Sequence, residues 1–215
     1  MSPTSSLTGA HWRVRFCTIW TAQALSLFSS SLVGFALVWW LTMTSGSATV
    51  LAGGVLASML PQMLLGPVAG VLVDRHSRRF IMAAADLGTA LATVVLAWLF
   101  VTEMIQPWHV YVLMALRSIG FTFHYPAMLA STALMVPQED LSRIAGLNQM
   151  LSGAVGIAAP ALGALLIALL PMQGVMVLDI VGACFAVATL MVIRVPNPPA
   201  RTAEAQRMSM AADLR

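Results

Sequence analysis

The chain has 215 residues, of which 59% are hydrophobic and only 9% charged; its mean hydropathy is +0.86 and its formal net charge +3. Soluble domains run at roughly 45 to 50% apolar and about 25% charged, so a water-soluble fold of this length would lack the charge to cover its surface. That leaves an integral membrane protein.

Six apolar runs long enough for the roughly 20 residues of a membrane helix fall at 16–43, 49–73, 80–101, 108–135, 144–170 and 175–193. Barrel strands would alternate apolar and polar over about ten residues, and these runs are continuous, so the fold class is an all-α membrane protein. The first run is too long for the apolar region of a signal peptide and is followed by no A-x-A site, which makes it a retained span. Residues 1–14 then form a cytoplasmic tail, 15–196 the six-helix bundle and 197–215 a polar, proline-broken segment. The connections "TSGS", "DRHSRR", "TEMIQP", "PQEDLSR" and "PMQG" are too short for a soluble domain.

Orientation follows from the arginines, because lysine is absent. Arg13 and Arg15 precede the first span; Arg75, Arg78 and Arg79 lie in the second connection, Arg143 in the fourth, and Arg194, Arg201, Arg207 and Arg215 after the sixth. The odd connections contain none, as the positive-inside rule requires when both termini are cytoplasmic. The sequence pI near 9.5 thus reports topology; a nucleic-acid face would need clustered basic residues on a recognisable fold. Cys17 and Cys184 fall inside spans and are read as small apolar fillers.

Ionisable groups inside the hydrocarbon cost about 2.5 to 3.5 kcal/mol each on insertion scales and are therefore functional candidates. Span four carries Arg117 and His124, seven residues apart and so on one face, with Phe121 and Met128 beside them. Span one adds Gln23, Ser26, Ser30 and Ser31, spans three and six Asp86 and Asp179. Imidazole titrates near neutrality, so His124 is the candidate proton carrier, with Arg117 opposing its protonation. The aspartates are competing carriers or, on the reading favoured for both, carboxylates that tie helices together. Trp39, Trp40, Phe121 and the methionines would suit a bulky apolar or cationic compound.

An internal repeat is visible. Writing "GPVAGVLV" (66–73) under "APALGALL" (159–166) aligns Pro67 with Pro160 and Gly70 with Gly163, and the same displacement of 93 takes Asp86 to Asp179. Span two maps onto five and three onto six, the pattern of three helices repeated in opposite orientation.

The stretch "GVLVDRHSRR" packs Asp74, Arg75, His76, Arg78 and Arg79 into six positions between two apolar runs. Together with Gly70 and Leu72 it reads G-x-L-x-D-R-x-x-R-R, and this resembles the signature between helices two and three of the major facilitator superfamily. Ser77 stands where that signature usually has glycine, which looks like the macrolide-efflux and enterobactin-exporter branch. Arg117 and Gly120 are similar to the R-x-x-x-G pattern of the family's fourth helix, the glycine coming one residue early. Gly146, Pro160 and Gly163 echo the antiporter stretch of helix five, with Val155, Ala159 and Ala164 where that form has glycine; Gly153, Gly156, Pro160 and Gly163, at steps of three and four on one helical face, also suit close helix packing.

The resemblance implies the N-terminal six-helix half of a secondary transporter in the bacterial inner membrane, exporting a drug-like or other small amphipathic compound against protons, with 197–215 as the start of a cytoplasmic linker to the second half. It implies spans one and four along the substrate path, a hairpin at Gly70, Asp74, Arg75, Arg78 and Arg79 that helps switch conformations, a second six-helix bundle as partner, and neither cofactor nor nucleic acid. The alternative is a self-contained six-helix protein that dimerises or serves as a non-transporting partner. An enzyme is disfavoured: no H-E-x-x-H pair occurs and the histidines at 11, 76, 109 and 124 are scattered.

Overall fold

The computed structural model describes residues 10–193 and, among them, six long α-helices and no strand. They are α1 (Ala10–Ser45), α2 (Ala48–Arg75), α3 (Arg78–Val101), α4 (Pro107–Met135), α5 (Leu141–Leu169) and α6 (Met172–Val192), with a 3₁₀ turn, Gln138–Asp140, ahead of α5. Even the 21 residues of α6 reach about 32 Å at 1.5 Å per residue, enough for a hydrocarbon core of about 30 Å. By length and composition α1, α2, α3, α5 and α6 can each cross a membrane. α4 falls short of that apolarity because Arg117, Ser118, Thr122, His124, Ser131 and Thr132 dilute it. The molecule is a multi-pass membrane protein.

Each apolar run coincides with one helix to within three residues at every end but the first. α1 begins at Ala10, inside the stretch expected as tail, while the segment 197–215 lies outside the described residues. Asp74 and Arg75 form the last turn of α2 instead of a loop, leaving only His76 and Ser77 between α2 and α3. Hydropathy reports where side chains meet lipid, whereas backbone hydrogen bonding persists into the interface, helped here by the cationic Arg75 at the negative end of the helix dipole. The α1–α2 connection turns at Gly46, whose φ of 59° is a left-handed conformation that suits glycine.

The core sits among α1, α3, α4 and α6. Val33, Leu37 and Leu41 of α1 interlock with Leu96 of α3, Val110 and Met114 of α4, and Met176 of α6; a second cluster, around Ile19, Met82, Ala127 and Leu190, closes the other end. Two crossings are tight because a glycine meets its neighbour: a Cβ on Gly120 would lie 3.2 Å from the Ala85 carbonyl oxygen of α3, and one on Gly182 would lie 2.5 Å from Ser29 Oγ of α1. α2 and α5 flank this core and bury little, 6% and 17% of their central residues against 39–44% for α1, α3 and α6. Cys17 and Cys184 are exposed free thiols on the outside of the bundle, so neither fills the core.

The helix bounds follow the 93-residue displacement: it carries α2 onto 141–168 and α3 onto 171–194, close to the observed α5 and α6. The main contacts follow it too. α4 packs on α2 and α3, α1 packs on α5 and α6, and α3 meets α6, a set that maps onto itself when α1 is exchanged with α4, α2 with α5 and α3 with α6; the lesser contact of α1 with α2 has no comparable counterpart between α4 and α5.

Candidate functional site: a cavity walled by α1 and α4

α1 and α4 face each other across a cavity of about 360 Å³, to which α2, α3 and α5 also contribute side chains. The helical period brings Gln23, Ser26, Ser30 and Ser31 to one face of α1, and Arg117, Phe121, His124 and Met128 to one face of α4, and all eight line the cavity. Trp39 and Trp40 do not. Trp39 lies exposed beside Phe35 and Trp40 packs edge-on against Phe100, both further along α1 than the cavity.

Two polar clusters bridge α1 and α4. In the first, His124 Nε2 lies 2.8 Å from Gln23 Oε1 and Gln23 Nε2 donates to Asp86 Oδ2 at 3.2 Å, while Asp86 Oδ1 is 3.5 Å from the same imidazole nitrogen. Gln23 is 2% exposed and Asp86 8%. In the second cluster Arg117 Nη1 meets Asp179 Oδ2 at 2.5 Å, Thr93 Oγ1 donates to the same oxygen at 2.7 Å, and Ser30 Oγ donates to Oδ1 at 2.6 Å. Arg117 Nη1 also contacts Thr93 Oγ1, and Nη2 donates to the Ser30 carbonyl at 3.2 Å. Both Asp179 oxygens are thus satisfied by a permanent cation and two hydroxyls in a fully buried position, the arrangement an intramembrane charge needs.

The clusters correspond through the repeat. Displacing Asp86 by 93 gives Asp179; displacing Gln23 gives 116, beside Arg117; and moving His124 back by 93 gives Ser31, beside Ser30. Each aspartate, on α3 or α6, therefore ties α1 to α4. The guanidinium expected to oppose protonation of His124 is paired with Asp179. Sequence reasoning also missed Thr93, whose available signal was its position seven residues after Asp86 on the same face of α3. Among the described residues no three His, Cys, Asp or Glu side chains converge as metal ligands.

The sequence profile of the Major Facilitator Superfamily matches residues 19–212. The chain belongs to the major facilitator superfamily. That membership places it with membrane transporters rather than enzymes. It is 40% identical over 187 residues to macrolide efflux protein A of Streptococcus pyogenes, covering 87% of this chain and 46% of that protein. Over 152 residues it is 40% identical to macrolide efflux protein A of Enterococcus faecalis, covering 71% of this chain and 47% of that one. To the uncharacterized MFS-type transporter YfiS of Bacillus subtilis it is 30% identical over 132 residues, 61% of this chain and 30% of that protein. The chain spans about half the length, or less, of these relatives.

In this major facilitator chain the residues of the α2–α3 hairpin divide into two sets. Arg78 Nη1 donates to the Ala130 carbonyl of α4 at 2.8 Å, and Arg79 Nη2 to the Met191 carbonyl in the last turn of α6 at 2.6 Å. Both arginines thereby join the start of α3 to backbone carbonyls in the C-terminal parts of two other helices, and only Met191 lies in a last turn. Asp74 and Arg75 are exposed and form no ion pair among the described residues, and a Cβ on Gly70 would meet nothing within 4 Å. Along α5 the glycines divide likewise: Gly163 rests on Phe35 of α1, whereas Gly146, Gly153, Gly156 and Pro160 face outward.

Proposed function

We propose that this chain is the N-terminal six-helix half of a proton-coupled exporter of small amphipathic compounds, built as a 3+3 inverted repeat with both termini cytoplasmic and resident in the bacterial cytoplasmic membrane. The observation that carries the reading is the cavity between α1 and α4, where a polar relay of His124, Gln23 and Asp86 lies beside exposed aromatic side chains. An apolar cavity with a few convergent polar groups is the usual form of a small-molecule site. The main helix contacts support the repeat, and the similarity to the two macrolide efflux proteins supports export.

A second bundle is the partner this reading needs. The chain spans about half of those relatives, and the surfaces left uncovered are those a second body would cover: the poorly buried α2 and α5, the outward Gly146, Gly153, Gly156 and Pro160, and the free Asp74 and Arg75. Alternating access is then rocking of one bundle against the other around the cavity.

Proton coupling is assigned to His124, since imidazole is the side chain whose ordinary titration falls between about pH 5 and 8. Drug-susceptibility profiling of the complete reading frame in a host stripped of exporters tests export itself. For coupling, His124→Gln is expected to weaken the response of efflux to an imposed pH gradient more than Asp86→Asn or Asp179→Asn does. If an aspartate variant loses that response and the histidine variant keeps it, the carrier is the aspartate.

A further inference from the structure

We propose that Asp86 is the recognition group for a cationic amphipath, an organic cation that places its charge at the carboxylate and its apolar body against Phe121 and Tyr125, and that His124 competes with this cation for Asp86. The inference rests on the transport reading of the cavity and adds the chemical class of its ligand.

The argument starts from the two repeat-related carboxylates. Asp179 has a fixed counter-charge in Arg117 and a donor on each oxygen. Asp86 has a neutral amide at 3.2 Å and an imidazole at 3.5 Å, which is a counter-charge only when protonated. With neutral His124, Asp86 is a largely buried carboxylate without a cation, a costly state that a ligand ammonium relieves. Protonated His124 relieves it instead, so the two cations exclude each other.

Charge on the rest of the wall selects the same class. The charged or titratable cavity residues are Asp86, Arg117, His124 and Tyr125. α2 and α5 contribute only neutral polar groups, Ser58, Gln62, Asn148 and Ser152, and α6 contributes none. Arg117 is held by Asp179, Thr93 and the Ser30 carbonyl, so no free cation awaits an anionic ligand. Phe121 and Tyr125 stack with ring centroids 5.8 Å apart and remain 39% and 44% exposed, offering π-faces that favour an organic cation.

The test is isothermal titration of the complete protein with ethidium, a permanent organic cation whose own charge does not change with pH. Wild type is expected to bind more weakly at about pH 6 than at about pH 8, because protonated His124 takes the place of the ligand cation at Asp86. Asp86→Asn should lose at least about tenfold in affinity, the scale expected when a largely desolvated charge partner is removed, whereas Asp86→Glu, which keeps the charge, retains most of it. His124→Gln should bind equally at both pH values. Wild-type ethidium affinity in Asp86→Asn, an equal loss in the Asn and Glu variants, or an undiminished pH response in His124→Gln would each overturn the proposal. Binding is read without a gradient, so a protein that binds ethidium as described but exports nothing condemns the transport reading alone.

Discussion

Arg117 and Asp179 are a pair whose two members act very differently from either one alone. Together they are neutral, with both carboxylate oxygens and both terminal guanidinium nitrogens hydrogen-bonded; removing one leaves the other as a buried, uncompensated charge. We therefore expect Arg117→Met or Asp179→Leu to lower stability by about 3 to 5 kcal/mol, while the double variant recovers much of the loss because an apolar pair needs no counter-ion. Melting of the purified protein in detergent checks this: single variants that melt with the wild type would mean that the pair contributes nothing. The spacing of Arg117 and His124 was legible in the sequence, because seven residues along a helix fix a shared face. Their partners were not, since hydropathy gives no pairing between helices, and it took the tertiary fold to set Asp179 against Arg117 and Gln23 between His124 and Asp86.

At the scale of helices, Gly120 governs how closely α4 approaches α3. Gly120→Ala brings a methyl to 2.8 Å from Thr89 Oγ1, which can rotate, and to 3.2 Å from the Ala85 carbonyl oxygen, which cannot. The helices must part, at a cost of about 1 to 3 kcal/mol, and Asp86, next to Ala85, moves away from His124. We expect the variant to melt earlier and to show a flattened pH response of efflux, both measurable on one preparation. The hairpin yields a separate prediction. Asp74 is exposed and forms no ion pair among the described residues, so Asp74→Asn should leave expression and melting unchanged yet slow transport, through a contact that differs between the two access states; transport at the wild-type rate would leave these residues with a topological role only. The sequence read the number and place of the helices well because long apolar runs are a strong signal. It placed their ends to within three residues except at the start of α1, and what it missed is helix backbone that continues into the interface past the last apolar residue, as at Asp74 and Arg75.

Seen whole, the bundle is a core of four helices with two flanking ones, and its polar interior is concentrated on α4, the helix whose composition least resembles a membrane span. A consequence lies in how such a chain is made. α4 leaves the ribosome with Arg117 exposed to an environment in which an arginine at the centre of a helix costs about 2.5 to 3.5 kcal/mol, and the carboxylate that neutralises it belongs to α6, the last of the described helices to be synthesised. Until α6 arrives, α4 can shelter its guanidinium only against the Ser30 carbonyl of α1 and Thr93 of α3. Membrane integration of α4 should therefore be provisional at first and completed late. A nascent chain truncated after α5 is expected to leave a sizeable fraction of α4 uninserted, seen by glycosylation mapping of the α3–α4 and α4–α5 connections. Extending it through Asp179 should drive insertion to completion, and Asp179→Asn in the extended chain should return it to the provisional state. Full insertion of α4 in the short chain would show that the arginine needs no late partner. On this account the last helix licenses an earlier one, and the order of synthesis becomes a checkpoint on assembly.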